Sequence, residues 1–445
     1  MSDAALMERA AAGVVRRLQE AGHAAYFAGG CVRDRLLGRA PHDFDVATDA
    51  VPDQVIALFP RTTGLIGKSF GVVGVMTEAG AIEVATFRQD LEYRDGRRPE
   101  GVRFVTAQED AQRRDFTVNG LFYDPVAGKV IDFVGGQADL ERKVLRAIGD
   151  PAARFREDRL RLLRAVRFAT TLGFAIDPAT WEAVRAAAPA VAAEGGVSPE
   201  RIREELDKIW TGPDPARGLD LLDQSGLLQA VLPEVVALHG VEQPPQFHPE
   251  GDVYKHTRLM LSKLPPQPSR VLALSVLFHD IGKPATFQVD PTGRIRFNGH
   301  ETVGARMTEE ILGRLRYSNE VIGQVVACVE NHMSFKDAPQ MRLSTLKRFL
   351  ARPTFPEELE LHRIDCSSSH GLLDIYEFLK EKLATMPPEE VDPEPLLTGH
   401  DVMAELGLKP GKELGALLKQ LREAQLEGAV ADREGALAFL RGLRQ

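Results

Sequence analysis

With 445 residues, 44% of them hydrophobic and 27% charged, the chain can hold two or three domains with real cores and is neither disordered nor fibrous in composition. It has no apolar run long enough to span a bilayer, and its three scattered cysteines (Cys31, Cys328, Cys366) make neither a disulfide framework nor a zinc spacing, so a cytoplasmic, reducing setting without a membrane partner is expected. A net charge of −9 excludes wrapping nucleic acid with the whole surface and leaves local basic strips such as 154–167, six arginines against two acids, as places for a polyanion.

The first 23 residues alternate apolar and charged side chains at helical spacing and lack a signal peptide's apolar centre. A short strand is expected over Ala24–Ala28, then a turn at Gly29–Gly30, a helix near Val32–Leu37 and a strand around Phe44–Ala47. "FGVVGVMT" and "AIEVATFR" form a hairpin turning at Glu78–Gly80. From about Ala152 the pattern is helical almost throughout, and Ser198 before Pro199 marks a helix start. Pro-rich stretches at 241–252 and 385–399 punctuate that half, the second as a linker to a last helical segment. The fold class is therefore α+β, a small mixed sheet with helices followed by an all-helical remainder.

"FAGGCVRD" and "HDFD" bring a glycine turn, a cation and two carboxylates within one helix length. On a strand, Asp43 and Asp45 project to one side while Phe44 and Val46 face the core. Paired carboxylates suit Mg²⁺, which takes oxygen ligands and shares them with phosphates. Gly29 and Gly30 let the backbone approach a triphosphate, the next helix aims amides at it, and Arg33 adds a charge-assisted donor. Glu83 interrupts an otherwise apolar strand, either as a third carboxylate of a two-metal site or as a solvent-facing residue.

Together "GGCVRD" and "HDFD" resemble the nucleotidyltransferase signature of the DNA polymerase β superfamily. "RRDFTVNGLFYDP" (113–125) and "EDRLRLLRAVRFA" (157–169) narrow the resemblance to the class II tRNA nucleotidyltransferase and bacterial poly(A) polymerase family, and weaker similarity continues through "VSPERIREEL" (197–206). The resemblance implies catalytic roles for Asp43, Asp45 and Glu83 with Mg²⁺, nucleotide contacts by Arg114, Asp115 and Asn119, and CTP, ATP and the tRNA 3′ end as partners. On residue chemistry alone, "RRDFTVN" equally fits a salt-bridged helix start capped by Asp115 or Thr117.

The segment 157–169 has the pattern of one amphipathic helix, with Leu160, Leu163 and Val166 packing and Asp158, Arg161, Arg164 and Arg167 in a slowly drifting stripe. Cytosine and adenine both place an exocyclic amine beside an unprotonated ring nitrogen. A carboxylate accepts from the first and a guanidinium donates to the second, whereas guanine and uracil present the opposite groups. The resemblance gives Asp158 and Arg161 this base-choosing role and puts Arg164 and Arg167 on the nucleotide. In family members that add only two cytidines a loop corresponding to 90–104 is shortened; here it is full length, which favours complete CCA or A addition.

His256, then His279–Asp280 in "SVLFHDIGKPATF" 23 residues later, then Asp365 in "HRIDCSSSH", match the HD-type metal phosphohydrolase pattern. Imidazole and carboxylate together suit a divalent transition metal that activates water on a phosphate ester, and His300 and His332 are candidate ligands for a second ion. The tail (396–445) resembles the tRNA-gripping segment of bacterial family members, with Lys409, Lys412, Lys419 and Arg422 expected at the surface. The expected segments are a nucleotidyltransferase head (1–150), a helical RNA-binding neck (151–236), an HD domain (237–384) and the tail. A CCA-adding tRNA nucleotidyltransferase fits them all. A poly(A) polymerase or a CC- or A-adding enzyme is the near alternative, and an HD phosphohydrolase with an RNA-binding head the distant one.

Overall fold

The computed structural model describes residues 3–41, 43–63, 71–90, 102–246 and 248–443. The chain divides into two compact units, Met1–Val236 and Ala237–Gln445.

The first unit is built on a mixed seven-stranded sheet in the order β3-β4-β5-β2-β1-β8-β9, where β1 is Ala25–Ala28, β2 Asp45–Thr48, β3 Thr62–Thr63, β4 Val72–Thr77, β5 Gly80–Thr86, β8 Leu121–Asp124 and β9 Lys129–Asp132. A separate ribbon pairs β6 (Arg88–Asp90) with β7 (Val102–Phe104). The expected hairpin is β4–β5: Thr77 faces Gly80, and Gly80 takes a positive φ that favours glycine at this tight reversal. Helix α1 (Asp3–Glu20) lays Ala11, Val14, Val15 and Leu18 against β1 and β2. Alternation does the rest: Phe27, Val46 and Val84 are buried, and Phe44 meets Phe27 edge-on at 5.2 Å. Most of the loop expected over 90–104 lies outside the described residues.

Helices α2 (Gly30–Leu36), α3 (Pro52–Leu58), α4 (Ala107–Arg113) and α5 (Gly136–Arg142) decorate the sheet. The neck follows with α6 (Pro151–Glu157), α7 (Leu160–Leu172), α8 (Pro178–Ala187) and α9 (Pro199–Trp210). The single amphipathic helix expected over 157–169 is two helices. Asp158 ends α6 in an extended conformation and α7 begins at Leu160, because the Asp158 carboxylate accepts from the Leu160 amide (3.0 Å) and recaps the chain. Leu160, Leu163 and Val166 are buried as their spacing requires. Ser198 stands at the start of α9 ahead of Pro199, though its hydroxyl makes no capping bond.

The second unit is helical apart from one small ribbon, Gln288–Val289 with Ile295–Arg296. Helices Val253–Ser262, Arg270–Phe278, His300–Arg314, Asn319–Asn331 and Phe355–Ser368 pack around one centre. The tail has its own apolar cluster, including Leu397, Val402, Leu417, Leu421 and Leu440. Among the described residues no helix is long and apolar enough to cross a membrane.

Candidate active sites

Strand pairing gathers the head carboxylates. β2 runs parallel to β5 with Val46 beside Val84, so Asp45 and Glu83, each one residue earlier, emerge together on the opposite face. Asp43 lies two residues before Asp45 with buried Phe44 between them, ahead of β2 instead of on it as expected, because the pairing with β1 begins only at Asp45. All three acids are exposed. Desolvation by the surrounding protein raises the pKa of Asp45, the Glu83 and Asp43 carboxylates raise it further, and the Arg114 guanidinium opposes them. Crowded oxygens whose mutual repulsion a cation relieves are a donor set that fits Mg²⁺.

Ala28 of β1 faces Asp45 of β2, so the glycine turn that follows β1 begins beside the carboxylates. Gly29 has φ +73°, and a Cβ there would lie 3.1 Å from Arg114 Nη1, so both backbone and space call for glycine. The helix after the turn, α2, has only seven residues. Its Arg33 donates from Nε and Nη2 to Asp34 (2.9 and 3.0 Å) and from Nη1 to Asn119 Oδ1 (2.8 Å). Asn119 Nδ2 donates to Asp115 Oδ1 (3.1 Å), and Arg164 donates to Asp115 Oδ2 from Nε (2.8 Å) and Nη2 (2.6 Å). The "GGCVRD", "RRDFTVN" and neck motifs are thus joined by one chain of hydrogen bonds.

Asp115 is no helix cap. It is buried against Arg164, and although burial opposes its charge, the Arg164 guanidinium and its hydrogen bonds hold the carboxyl below its ordinary pKa. Thr117 donates to Asp139 Oδ2 (2.7 Å), and the true cap of α4 is Thr106. Arg114 turns onto buried Asp110 (3.0 Å) and the Asn119 carbonyl (3.3 Å). Asp158 and Arg161 do not pair with each other. Asp158 receives Arg201 (2.9 Å), while Arg161 donates to Glu157 (2.9 Å) and to the Arg113 carbonyl (3.0 Å).

Residues given no role by their motif, or lying outside the quoted motifs, complete this half. Phe168 lies beneath three guanidiniums, Arg33 at 5.3 Å, Arg164 at 5.1 Å and Arg167 at 3.9 Å, and Glu205 receives Arg167. Phe168 reads in sequence as one more apolar residue of α7, and only the packing shows what it supports.

In the second unit His279–Asp280 follow the C-terminal end of an apolar helix, Asp365 sits on Phe355–Ser368, and His256 on Val253–Ser262. His256 Nε2 lies 3.2 Å from Asp365 Oδ1 and 4.0 Å from Asp280 Oδ2. His279 Nε2 lies 3.1 Å from Asp280 Oδ2; His300 and His332 approach Asp280 Oδ1 at 3.4 and 3.9 Å. Two groups of buried ligand atoms, His256–His279–Asp280 and Asp280–His300–His332, each converge within 4.8 Å and share Asp280. His256 Nε2 and His279 Nε2 are buried and meet carboxylate oxygens, Asp365 at 3.2 Å and Asp280 at 3.1 Å, an arrangement of convergent nitrogen and oxygen that a metal would satisfy.

The electrostatics match. Burial opposes charge on His256, but hydrogen bonds to Asp365 and Glu250 outweigh it and push its pKa up to about 9. Burial and the neighbouring His279 push His332 down to about 3. Asp280 lies well below the ordinary carboxylate range, with burial overcome by His279 and Lys283. Sequence reasoning passed over His248 and Glu250, which form a further group with His256, and over Lys283, which lies 2.7 Å from Asp280 and donates to Gln243. The signal was present in "FHPEGD", inside a stretch read only as Pro-rich punctuation. In the tail Lys409, Lys412 and Lys419 are exposed, whereas Arg422 is half-buried against Asp392 and the Pro393 carbonyl.

Residues 25–146 match the family described as "Poly A polymerase head domain", 173–238 that described as "Probable RNA and SrmB- binding site of polymerase A", and 302–440 a tRNA nucleotidyltransferase domain 2. A CC-adding tRNA nucleotidyltransferase of Thermus thermophilus is 35% identical over 429 residues, 94% of this chain and 93% of that one. An A-adding tRNA nucleotidyltransferase of Deinococcus radiodurans is 37% identical over 348 residues, 75% and 78% of the two chains. A CCA-adding enzyme of Geobacillus thermodenitrificans is 47% identical over 218 residues, 49% of this chain, and the alignment spans about half (53%) of that relative. In structure, the CCA-adding enzyme of Bacillus stearothermophilus, solved in complex with CTP, matches with TM-score 0.70 and 28% identity over 98% of this chain and 97% of that one.

Proposed function

The chain belongs to the class II tRNA nucleotidyltransferase and poly(A) polymerase family, and from that premise we propose that it adds CMP and AMP, from CTP and ATP, to the 3′ end of tRNA until CCA is complete. The observation that carries this is the convergence of Asp43, Asp45 and Glu83 beside the glycine turn, with a hydrogen-bonded chain leading from Arg33 to Arg164.

Asp43 and Asp45, with Glu83 beside them, would hold Mg²⁺, which supplies charge neutralisation for in-line attack of the tRNA 3′-hydroxyl on the α-phosphorus with pyrophosphate leaving. Gly29 lets backbone approach the triphosphate where any side chain would meet Arg114. Arg33, fixed by Asp34 and Asn119, orients the phosphates, and Asp115 holds Arg164 toward the nucleotide. Asp158 and Arg161, each tied to another partner instead of to the other, keep a separate acceptor and donor for the amine and ring nitrogen of cytosine or adenine.

The named relatives divide among CCA-, CC- and A-adding enzymes, so the decisive experiment distinguishes products. tRNA transcripts ending before CCA, after C and after CC are incubated with Mg²⁺ and CTP, ATP or both, and resolved at single-nucleotide length. Three additions to the first, stopping there, support CCA synthesis. Addition of A only to the CC-ended transcript would make it an A-adding enzyme, two cytidines alone a CC-adding one, and a long adenosine ladder a poly(A) polymerase.

The clustered buried imidazoles and carboxylates of the second unit favour a second activity, metal-dependent hydrolysis of phosphate esters at nucleotide ends. His256, His279, Asp280 and Asp365 would hold one divalent transition metal, and His300 and His332 with Asp280 a second; such an ion supplies an activated water. Hydrolysis of phosphomonoester nucleotides, read as phosphate release, and of phosphodiester nucleotides, read as the monoester product, in Mn²⁺, Ni²⁺ or Zn²⁺ tests it, and absence of both products with all three metals would discard it.

A further inference from the structure

Four histidines surround Asp280 and Asp365, and three of them are fixed in the same way. His279, His300 and His332 each set Nδ1 against the backbone carbonyl three residues earlier, Val276 at 2.9 Å, Phe297 at 2.8 Å and Val329 at 2.6 Å. That leaves Nε2 of each for the centre of the cluster, where those of His300 and His332 lie 3.1 Å from each other. His256 departs from this rule. Its Nδ1 meets Glu250 Oε1 at 2.6 Å, and the same oxygen meets His248 Nδ1 at 2.9 Å. The Glu250 side chain is nine-tenths buried, and its Oε2 has no hydrogen-bond partner. A carboxylate holds Nδ1 of His256 where the other three are held by a backbone carbonyl, the nearest rival being Glu301 at a longer 3.5 Å from His300 Nδ1.

Resting on the metal reading above, we propose that Glu250 is a positioning residue that makes the two halves of this pocket unequal: it strengthens His256 as a donor, so the His256–His279–Asp365 half binds its ion first and the His300–His332 half second. The division is built into Asp280, whose Oδ2 faces His256 and His279 together with the Lys283 ammonium at 2.7 Å, and whose Oδ1 faces His300 and His332. An anion on Nδ1–H fixes the tautomer and raises electron density at Nε2; a carbonyl fixes only the tautomer. Glu250 also adds negative charge beside the first position without occupying it. His248 shares its oxygen and braces the carboxylate from the far side.

The test uses the full chain in an Asp43→Ala/Asp45→Ala background, stripped of metal, so that uptake reports on the second unit. Co²⁺ is titrated with calorimetry and visible absorption. The parent is expected to bind in two steps. Glu250→Gln, which can still accept from His256 but carries no charge, should weaken the first step by about 10-fold, and Glu250→Ala by about 100-fold. Both should shift the absorption bands of the first ion and leave the second step in place. His300→Ala should remove the second step alone. If Glu250→Gln alters neither step, or both equally, the positioning role is overturned while metal binding stands. A parent that takes up no Co²⁺ overturns the metal reading itself and this inference with it. Should circular dichroism show Glu250→Gln unfolded, Glu250→Asp reads the same step, and an unchanged first affinity together with unchanged bands there again rejects the role.

Discussion

The head and the second unit both gather acidic side chains, and they do so in opposite physical settings. Asp43, Asp45 and Glu83 are exposed, offer only oxygen and repel one another. Asp280 and the histidines around it are buried and mix nitrogen with oxygen, and the Lys283 ammonium is buried against the carboxylate. An exposed all-oxygen set suits an ion that arrives with a phosphate and leaves with product, whereas a closed imidazole–carboxylate set suits a resident ion. Crowded acids can therefore mean destabilisation in one place and cohesion in another, depending on whether opposite charge has been buried with them.

The sharpest break of this comparison is to remove acids from each side. Asp43→Ala with Asp45→Ala should lower nucleotide addition by at least about 10³-fold while leaving phosphate-ester hydrolysis intact, because the substitution takes away the Mg²⁺ oxygens of the head only. The same double variant should melt no lower than the parent, since it relieves repulsion. In metal-free protein Asp280→Ala should instead destabilise its unit by about 3 kcal/mol, as it leaves the buried Lys283 ammonium uncompensated. Differential scanning calorimetry on both variants decides this, and equal losses would erase the contrast.

A second test sits on the buried pair inside the head. Asp115→Asn should cost about 2 kcal/mol at pH 7, a figure reduced because Arg164 is partly exposed. The folded carboxyl lies below its unfolded value of about 3.9. Its contribution is therefore complete above about pH 4 and is lost as pH falls through the folded pKa. The gap between parent and variant, read from urea midpoints at pH 7 and pH 3, should narrow in acid; a constant gap would mean the charge is not what Asp115 supplies.

The smallest effect concerns specificity. Asp158→Ala should relax discrimination of CTP and ATP against GTP and UTP by about 10-fold, equivalent to ~1.4 kcal/mol, more than it weakens triphosphate binding. Single-turnover addition with each nucleotide measures it, and unchanged discrimination would remove Asp158 from base choice.

Several parts of the molecule were legible from residue order alone. Alternation around "HDFD" places Phe44 and Val46 in the core, and the β4–β5 hairpin follows from two strand-like runs meeting at a glycine. These features depend on neighbours within a few residues, where strand periodicity and turn chemistry act directly. The break at Asp158 was not legible, because helical periodicity continues through it; the recapped Leu160 amide and the bridge from Arg201, 43 residues away, select the other conformation. Glu250 was hidden for a similar reason: proline and glycine around it read as punctuation, and its chemistry exists only where His256 is folded against it.

By itself the sequence determined the residue types and their local faces: a glycine turn, a carboxylate pair two apart leading into a strand, an ordered set of histidines and aspartates in a helical half. Which groups meet was decided by tertiary structure alone. The parallel pairing of β2 with β5 brought Glu83 beside Asp45. Packing of separate helices gave Asp280 two histidines at each oxygen, assigned Asp115 to Arg164 and stacked three guanidiniums on Phe168. Local propensity reaches a few residues along the chain, while charge pairing and metal-ligand geometry are set by distances of a few ångströms between residues far apart in it.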